Sequence, residues 1–298
     1  MEFFDNLMTN WHLKQGIKKL KKAERSRGKR FDRLIRATYQ HFEGAMEQDP
    51  NKLEALKYWG QALSLSAQRN EANAQLCTNL YKEAVDKFSE ANNIDPDDIE
   101  TIALWGETLT EKAGSAETKN RDQIYLSAYK KFSSALKKKG DDSGIVHAWG
   151  LGLYNQAGTK DNGEEAQQLY SDACEKYSQA FTLDARNPEV LIDWGVTLME
   201  QARQASSVDA VDAELYDEAK QKFLDAEEFE KGIASYNLAC LHAVQGDADK
   251  CESRLKTALK SHNLPRAKHI ENDLDLLNVR ELPWYSKFIK KARKRFKD

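Results

Sequence analysis

The sequence predicts an all-α protein built from repeated antiparallel helix hairpins, and three observations carry that expectation. The first is composition. The 298 residues include only five prolines and fifteen glycines and are 40% hydrophobic, and the abundant Ala, Leu, Lys, Glu and Gln favour helix nearly throughout. Such a chain can bury a core as one elongated repeat domain or as about two compact ones. The second is a recurring dipeptide: Trp59-Gly60, Trp105-Gly106, Trp149-Gly150 and Trp194-Gly195 follow one another at spacings of 46, 44 and 45 residues. A regular spacing of that size marks one supersecondary unit repeated along the chain. The third is a series of small, aromatic and small residues after each pair: Ala84, Phe88, Ala91; Ala128, Phe132, Ala135; Ala173, Tyr177, Ala180; Ala219, Phe223, Ala226. Offsets of four and three keep these side chains on one face of a helix, so each series is the buried stripe of a second helix.

In chain order, residues 1–35 read as a basic N-terminal helical cap or arm, with Phe3, Phe4, Leu7, Met8 and Trp11 forming an apolar face that caps the first hairpin. Thr38, Phe42, Ala45 and Pro50 follow as an upstream half unit carrying the same stripe, with Thr in the first small position. Then come the four Trp-led hairpins and a final unit, "SYNLACLHAVQGDADKCESRLKTAL", in which Leu238, Ala239, Gly246, Cys251, Leu255 and Ala258 hold the pattern without Trp. Residues 36–262 thus form a repeat array of about five units, and residues 263–298 a capping segment with a basic tail. A mid-helix Gly costs about 1 kcal/mol relative to Ala, so Gly60, Gly106, Gly150 and Gly195 are read as packing points. There a neighbouring backbone comes too close for a Cβ, and each Trp is wedged beside the contact.

These residues resemble the tetratricopeptide repeat family, most clearly in "YKEAVDKFSEANNIDPDD", where Ala84, Phe88, Ala91 and Pro96 keep the family spacing. The closing segment, with Asp273, Leu274 and Asp275 before Pro283, Trp284 and Phe288, resembles the end of many such arrays. The resemblance implies a right-handed helical solenoid whose concave face binds a peptide or helix of another protein. Family repeats run to about 34 residues, whereas these run to 44–46. The excess falls between each Trp and its second helix, in stretches such as "AQRNEANAQLCTNL" and "EKAGSAETKNRDQIYL", which are expected to extend the hairpin tips. Similar lengthening and a similar "WGxxL" start resemble, locally, the plant mitochondrial outer-membrane import receptor that carries such repeats. Members that clamp the carboxylate terminus of heat-shock chaperones use Lys and Asn on successive first helices; here the Trp-Gly pairs take that register and Asn237 stands alone, which argues against a chaperone clamp.

No catalytic constellation emerges. Nucleophilic catalysis needs a base within hydrogen-bond reach of a Ser or Cys, and His12, His41, His147, His242, His262 and His269 stand singly in helical patterns. There is no Gly-rich phosphate loop, and no enzyme activity, small-molecule substrate, cofactor or metal is expected. Cys240, His242, Cys251 and His262 could be drawn as a zinc site, but their spacing is not that of a zinc finger, and Cys251 occupies a small buried position where a thiol packs as a hydrophobe. The four cysteines, Cys77, Cys174, Cys240 and Cys251, are scattered, which suits reduced thiols in a cytoplasmic or similarly reducing compartment. No apolar run approaches the roughly 18 residues of a membrane span, and the acidic start lacks a secretory signal's bases.

Charge is uneven beneath a net charge of −3: residues 1–50 carry 11 basic against 7 acidic side chains, residues 280–298 carry 8 against 2, and the middle is acidic. The leading functional expectation is a non-catalytic scaffold or adaptor for a protein or peptide, basic if the acidic residues line its groove. Glu107, Glu111, Asn155, Gln156, Glu200 and Gln201 are the candidate contacts, taken as exposed polar residues of the first helices. The alternative is a peripheral membrane adaptor or targeting receptor, in which Lys14, Lys18, Lys21, Lys22, Arg25 and Arg30 hold the chain on an anionic surface. Nucleic acid is the weaker reading of that basic run, and a solvated helix face is the plainest. Assembly through the array ends is a third reading.

Overall fold

The computed structural model describes residues 2–70, 72–115, 120–161, 163–205 and 209–296; the side chains of 2–5, 209–212 and 296 lie outside the description, and with them Phe3 and Phe4 of the expected apolar cap. Among the described residues every regular element is helical, and no helix is long and apolar enough to cross a membrane. The chain divides into two compact units, Met1–Thr159 and Lys160–Asp298.

The first unit holds α1 (Glu2–Glu24), α2 (Gly28–Gln48), α3 (Leu53–Arg69), α4 (Ala74–Ile94), α5 (Ile99–Gly114), α6 (Arg121–Lys139) and α7 (Ser143–Ala157). Three hairpins, α1–α2, α3–α4 and α5–α6, pack most extensively, and each second helix also touches the next first helix. The first helices lie side by side in their own layer, α1 on α3, α3 on α5 and α5 on α7. The second unit holds α8 (Glu164–Leu183), α9 (Pro188–Ala205), α10 (Asp209–Phe229), α11 (Ser235–Val244), α12 (Ala248–Ser261), α13 (Ala267–Asn272), a 3-10 segment (Leu274–Val279) and α14 (Pro283–Phe296). Its strongest pairings are α9 with α10 and α11 with α12.

The stripes that define the second helices are buried as their periodicity requires. Phe42, Phe88, Phe132, Tyr177 and Phe223 are each 0% exposed, and Leu255 fills the same place in α12. The flanking small residues, from Thr38 and Ala45 to Cys251 and Ala258, are equally closed to solvent. Helix starts are fixed locally: Asn73 caps α4, Asp98 caps α5 by accepting from the Thr101 amide at 3.0 Å, Asp142 caps α7 and Asp247 caps α12. Such caps satisfy amides that a helix start would otherwise leave unpaired.

The glycines pack against something other than what the sequence suggested. A Cβ on Gly60 would lie 2.7 Å from the Phe88 ring, one on Gly106 2.6 Å from Phe132, and one on Gly195 2.5 Å from Phe223. The close neighbour is therefore the aromatic ring of the partner second helix, not a backbone. Gly16 of α1 meets Phe42 in the same way at 2.5 Å, so α1 and α2 share the packing of the later hairpins. The half-buried Trp rings do not fill the contact itself. They are covered from outside by the lysine that precedes each aromatic: Lys87 over Trp59, Lys131 over Trp105 at 3.3 Å and Lys222 over Trp194 at 3.6 Å from the ring centroid. Trp149 instead stacks on Tyr129 and Phe132, with centroids 5.9 and 6.3 Å apart.

Much of the extra repeat length goes into helix. In the second hairpin α3 has 17 residues and α4 has 21, so most of "AQRNEANAQLCTNL" is helical, with Ala67, Cys77 and Tyr81 in the core between them. Of the matching stretch in the third hairpin, residues 116–119 lie outside the described residues.

Candidate functional site

A concavity of about 1250 Å³ lies in the second unit. Its walls are the first helices α9, with Val196, Met199, Glu200 and Arg203, and α11, with Tyr236, Asn237 and Cys240. The segment from Arg266 to Asp275 closes one side, joined by Arg293 of α14. Consecutive first helices thus form the floor, because their second helices are turned away by the Ala–aromatic–Ala stripes.

A hydrogen-bonded lock fixes the centre of this groove. Tyr236 Oη donates to Asp273 Oδ2 at 2.6 Å, and the Cys240 thiol faces the same oxygen at 3.6 Å. The other Asp273 oxygen accepts from the Asp275 amide at 3.0 Å, capping the 3-10 segment, while Arg280 donates to the Asp273 carbonyl at 2.7 Å. Arg203 bridges two carboxylates, donating to both oxygens of Glu200 at 3.1 and 3.2 Å and to Asp275. Burial pushes the Glu200 and Asp275 carboxyls above their ordinary range, against the pull of Arg203. Burial also raises the Cys240 thiol, reinforced by Asp273 and Asp275, so it is held as a protonated donor rather than as a nucleophilic thiolate.

Cys240, Asp273 and Asp275 bring one potential ligand atom each within 4.8 Å of one another. Tyr236 and Arg203 already engage these oxygens, which is the arrangement of a hydrogen-bonded lock rather than of a coordination sphere. The zinc grouping of Cys240 with His242, Cys251 and His262 is not among the convergent sets found in the described residues.

Four carboxylates, Glu200, Glu271, Asp273 and Asp275, line the groove against four cations, Arg203, Arg266, Lys268 and Arg293. The acidic lining that would have favoured a basic ligand is therefore balanced. Leu274 adds a large apolar side chain, 68% exposed, at the edge.

The six candidate contact residues meet different fates. Glu200 lies in the groove. Gln201 is half-buried, and its carbonyl accepts from Gln167 at 3.2 Å. In the first unit Asn155 is exposed. Glu107 is exposed by surface area yet walled by protein, and that burial together with Glu111 pushes its carboxyl up to about 7. Glu111 is half-buried and accepts from Ser64 and Gln68 of α3, tying the first-helix layer together. Gln156 is not an exposed contact at all: at 7% exposure it accepts from Tyr129 Oη at 2.8 Å and donates to Asp122 at 2.9 Å. Its place in the α7 register faces inward to α6, and its polarity serves an internal network. Tyr236, Asp273 and Arg203 were not singled out as contacts. Asp273 and Asp275 were visible only as part of a closing motif, and nothing in the spacing pointed to Arg203.

The six basic residues proposed for an anionic surface, Lys14, Lys18, Lys21, Lys22, Arg25 and Arg30, are all exposed. Leu7 and Met8 are exposed as well, at 56 and 47%, and so do not cap the first hairpin as expected, whereas Trp11, 49% exposed, packs edge-on against His41 of α2 with ring centroids 5.4 Å apart.

Helix hairpins stacked through an Ala–aromatic–Ala stripe define the fold as that of tetratricopeptide repeat proteins. PilF of Pseudomonas aeruginosa is similar over 96% of this chain and 99% of that chain, with a TM-score of 0.58 and 13% identity. Human IFIT1, determined as a dimer with m7Gppp-AAAA, is similar over 97% of this chain and 61% of that chain, with a TM-score of 0.58 and 16% identity. At such identities the likeness is one of fold. No family model matches the sequence, and no curated protein matches it.

Proposed function

We propose that the protein is a non-catalytic scaffold that holds a peptide or helix of a partner protein in the groove between α9, α11 and the α13 segment. The observation that carries this reading is the groove itself: about 1250 Å³ of concave surface on successive first helices, with Arg203 held by Glu200 and Asp275, Arg293 by Glu271, and Asp273 by Tyr236. Fixed polar groups lose little conformational freedom on binding, so they favour a ligand that matches them. With four charges of each sign in the lining, the ligand is one of mixed charge, anchored by an apolar side chain against Leu274, Val196 and Met199. Four unpaired cysteines suit work in a reducing compartment such as the cytoplasm.

Peptide display against the full chain tests this reading, with the enriched peptide titrated against Asn237→Ala and Leu274→Ser. Neither residue belongs to the lock. A loss of roughly tenfold in each variant, equivalent to about 1.4 kcal/mol, is expected. Failure to enrich any peptide, or binding to both variants as tight as to the parent chain, would overturn the assignment.

A further inference from the structure

α1 carries two chemically opposed faces. Leu13, Leu20 and Ala23 are buried, and Gly16 seats the Phe42 ring. Opposite them, Leu7 and Trp11 are followed by Lys14, Lys18, Lys21, Lys22 and Arg25, all exposed. At 3.6 residues per turn Leu7 to Lys22 fall within an arc of about 100° and run for about 23 Å, with Arg25 in the turn just past the helix's end. They form one continuous stripe, apolar at its start and cationic over the rest, with Met8 at its apolar margin.

The cationic part is reinforced across the hairpin. Lys18, Lys21, Lys22 and Arg25 meet Ser26 and Arg30 around a shallow concavity of about 380 Å³. From Lys14 to Arg30 the chain has nine basic residues and one acid, Glu24. Among the described residues no ion pair is found for any cation of this concavity. Cations gathered in this way repel one another unless an anion covers them.

The nature of that anion follows from the rest of the stripe. A nucleic acid would satisfy the lysines and arginines but has no use for Leu7 and Met8. A bilayer interface accepts all of them, because apolar side chains and Trp enter the boundary between headgroups and acyl chains while lysines stay at headgroup level. We propose that the outer face of α1 docks the protein on an anionic phospholipid bilayer, with Leu7, Met8 and Trp11 inserted and the basic concavity holding headgroup phosphates. This role is separate from the groove of the second unit, which would then present a partner at a membrane surface.

The test is flotation of the full chain with vesicles of phosphatidylcholine alone and with vesicles that also contain phosphatidylserine. Binding is expected only to the second kind and should fall as salt rises. Neutralising Lys18, Lys21 and Lys22 together to Gln should weaken it roughly 100-fold, at about five-fold for each charge near the surface. Trp11→Ser should weaken it roughly tenfold while leaving the salt dependence as it was, a separation that a loss of folding would not produce. Circular dichroism, unchanged in both variants because every altered side chain is exposed, controls for folding. The proposal is overturned if the chain ignores phosphatidylserine vesicles, if the triple variant binds them undiminished, or if single-stranded RNA is bound and vesicles are not.

Discussion

Replacing Gly106 by Ala sets two known effects against each other. Helix propensity alone makes Ala better than Gly in a helix interior by about 1 kcal/mol. The structure reverses that sign. A Cβ on Gly106 would stand 2.6 Å from Phe132 Cε1 and 2.9 Å from Cδ1, about 1 Å inside ordinary carbon contact. Phe132 is 0% exposed and packed against Trp149, so its ring cannot turn away freely. Overpacking of this kind costs about 1–3 kcal/mol, and the clash here lies at the upper end. The expected net loss is about 1–2 kcal/mol, or about 2–8 °C in Tm for a unit of this size. Urea denaturation followed by circular dichroism would measure it. Gly114→Ala is the internal control, since its Cβ would meet only Tyr125 Oη at an ordinary 3.6 Å and should be neutral or stabilising. Phe132→Leu combined with Gly106→Ala should recover part of the loss through a favourable coupling energy. If Gly106→Ala were as stable as the parent, the ring-against-glycine account of the hairpins would be refuted.

Gln156→Ala removes hydrogen bonds to both Tyr129 and Asp122 and should destabilise by about 1–3 kcal/mol in chemical denaturation, whereas Asn155→Ala should stay within about 0.5 kcal/mol. The Glu107 carboxyl titrates near 7 in the folded chain against 4.5 for an ordinary Glu, so between those values the folded state holds a proton that the unfolded chain has released. Its contribution is present in full below about 4.5 and is lost as pH rises through about 7. Glu107→Gln should therefore remove a downward slope from Tm measured across that window. His41 and His242, which burial holds below 6.5, act in the opposite sense, and the difference between parent and variant isolates Glu107. Lys131→Gln, which uncovers Trp105, should cost about 0.5–1 kcal/mol by thermal denaturation.

Periodicity within a helix was enough to read the second helices. Phe88 with Ala84 and Ala91, and each later equivalent, are buried because offsets of four and three admit one face only. What lies across from that face is not written in the spacing. Gly60, Gly106 and Gly195 were legible as tight contacts, but their neighbour proved to be an aromatic ring from another helix. Gly16 escaped notice because Gln15 precedes it where Trp precedes the others. Yet it stands 26 residues before Phe42, as Gly106 stands before Phe132.

Gln156 misled for a different reason: a glutamine on a first helix suggests solvent, and only the fold brings Tyr129 and Asp122 to its two ends. The groove was the least legible feature. Tyr236 and Asp273 are 37 residues apart, and Arg203 and Asp275 are 72 apart, so their meeting depends on how α9, α11 and the closing segment pack. The basic stripe of α1 was visible as a charge run, whereas its continuity with exposed Leu7 and Trp11 needed the helix and its buried face.

Hydrogen exchange of the full chain, with and without a display-selected peptide, tests the scaffold reading most directly. Slowed exchange confined to α9 around Met199–Arg203, α11 around Tyr236–Cys240 and the segment from His269 to Asp275 is the expected result. Protection that appears only in the first unit, or none with peptide bound at saturation, would contradict it.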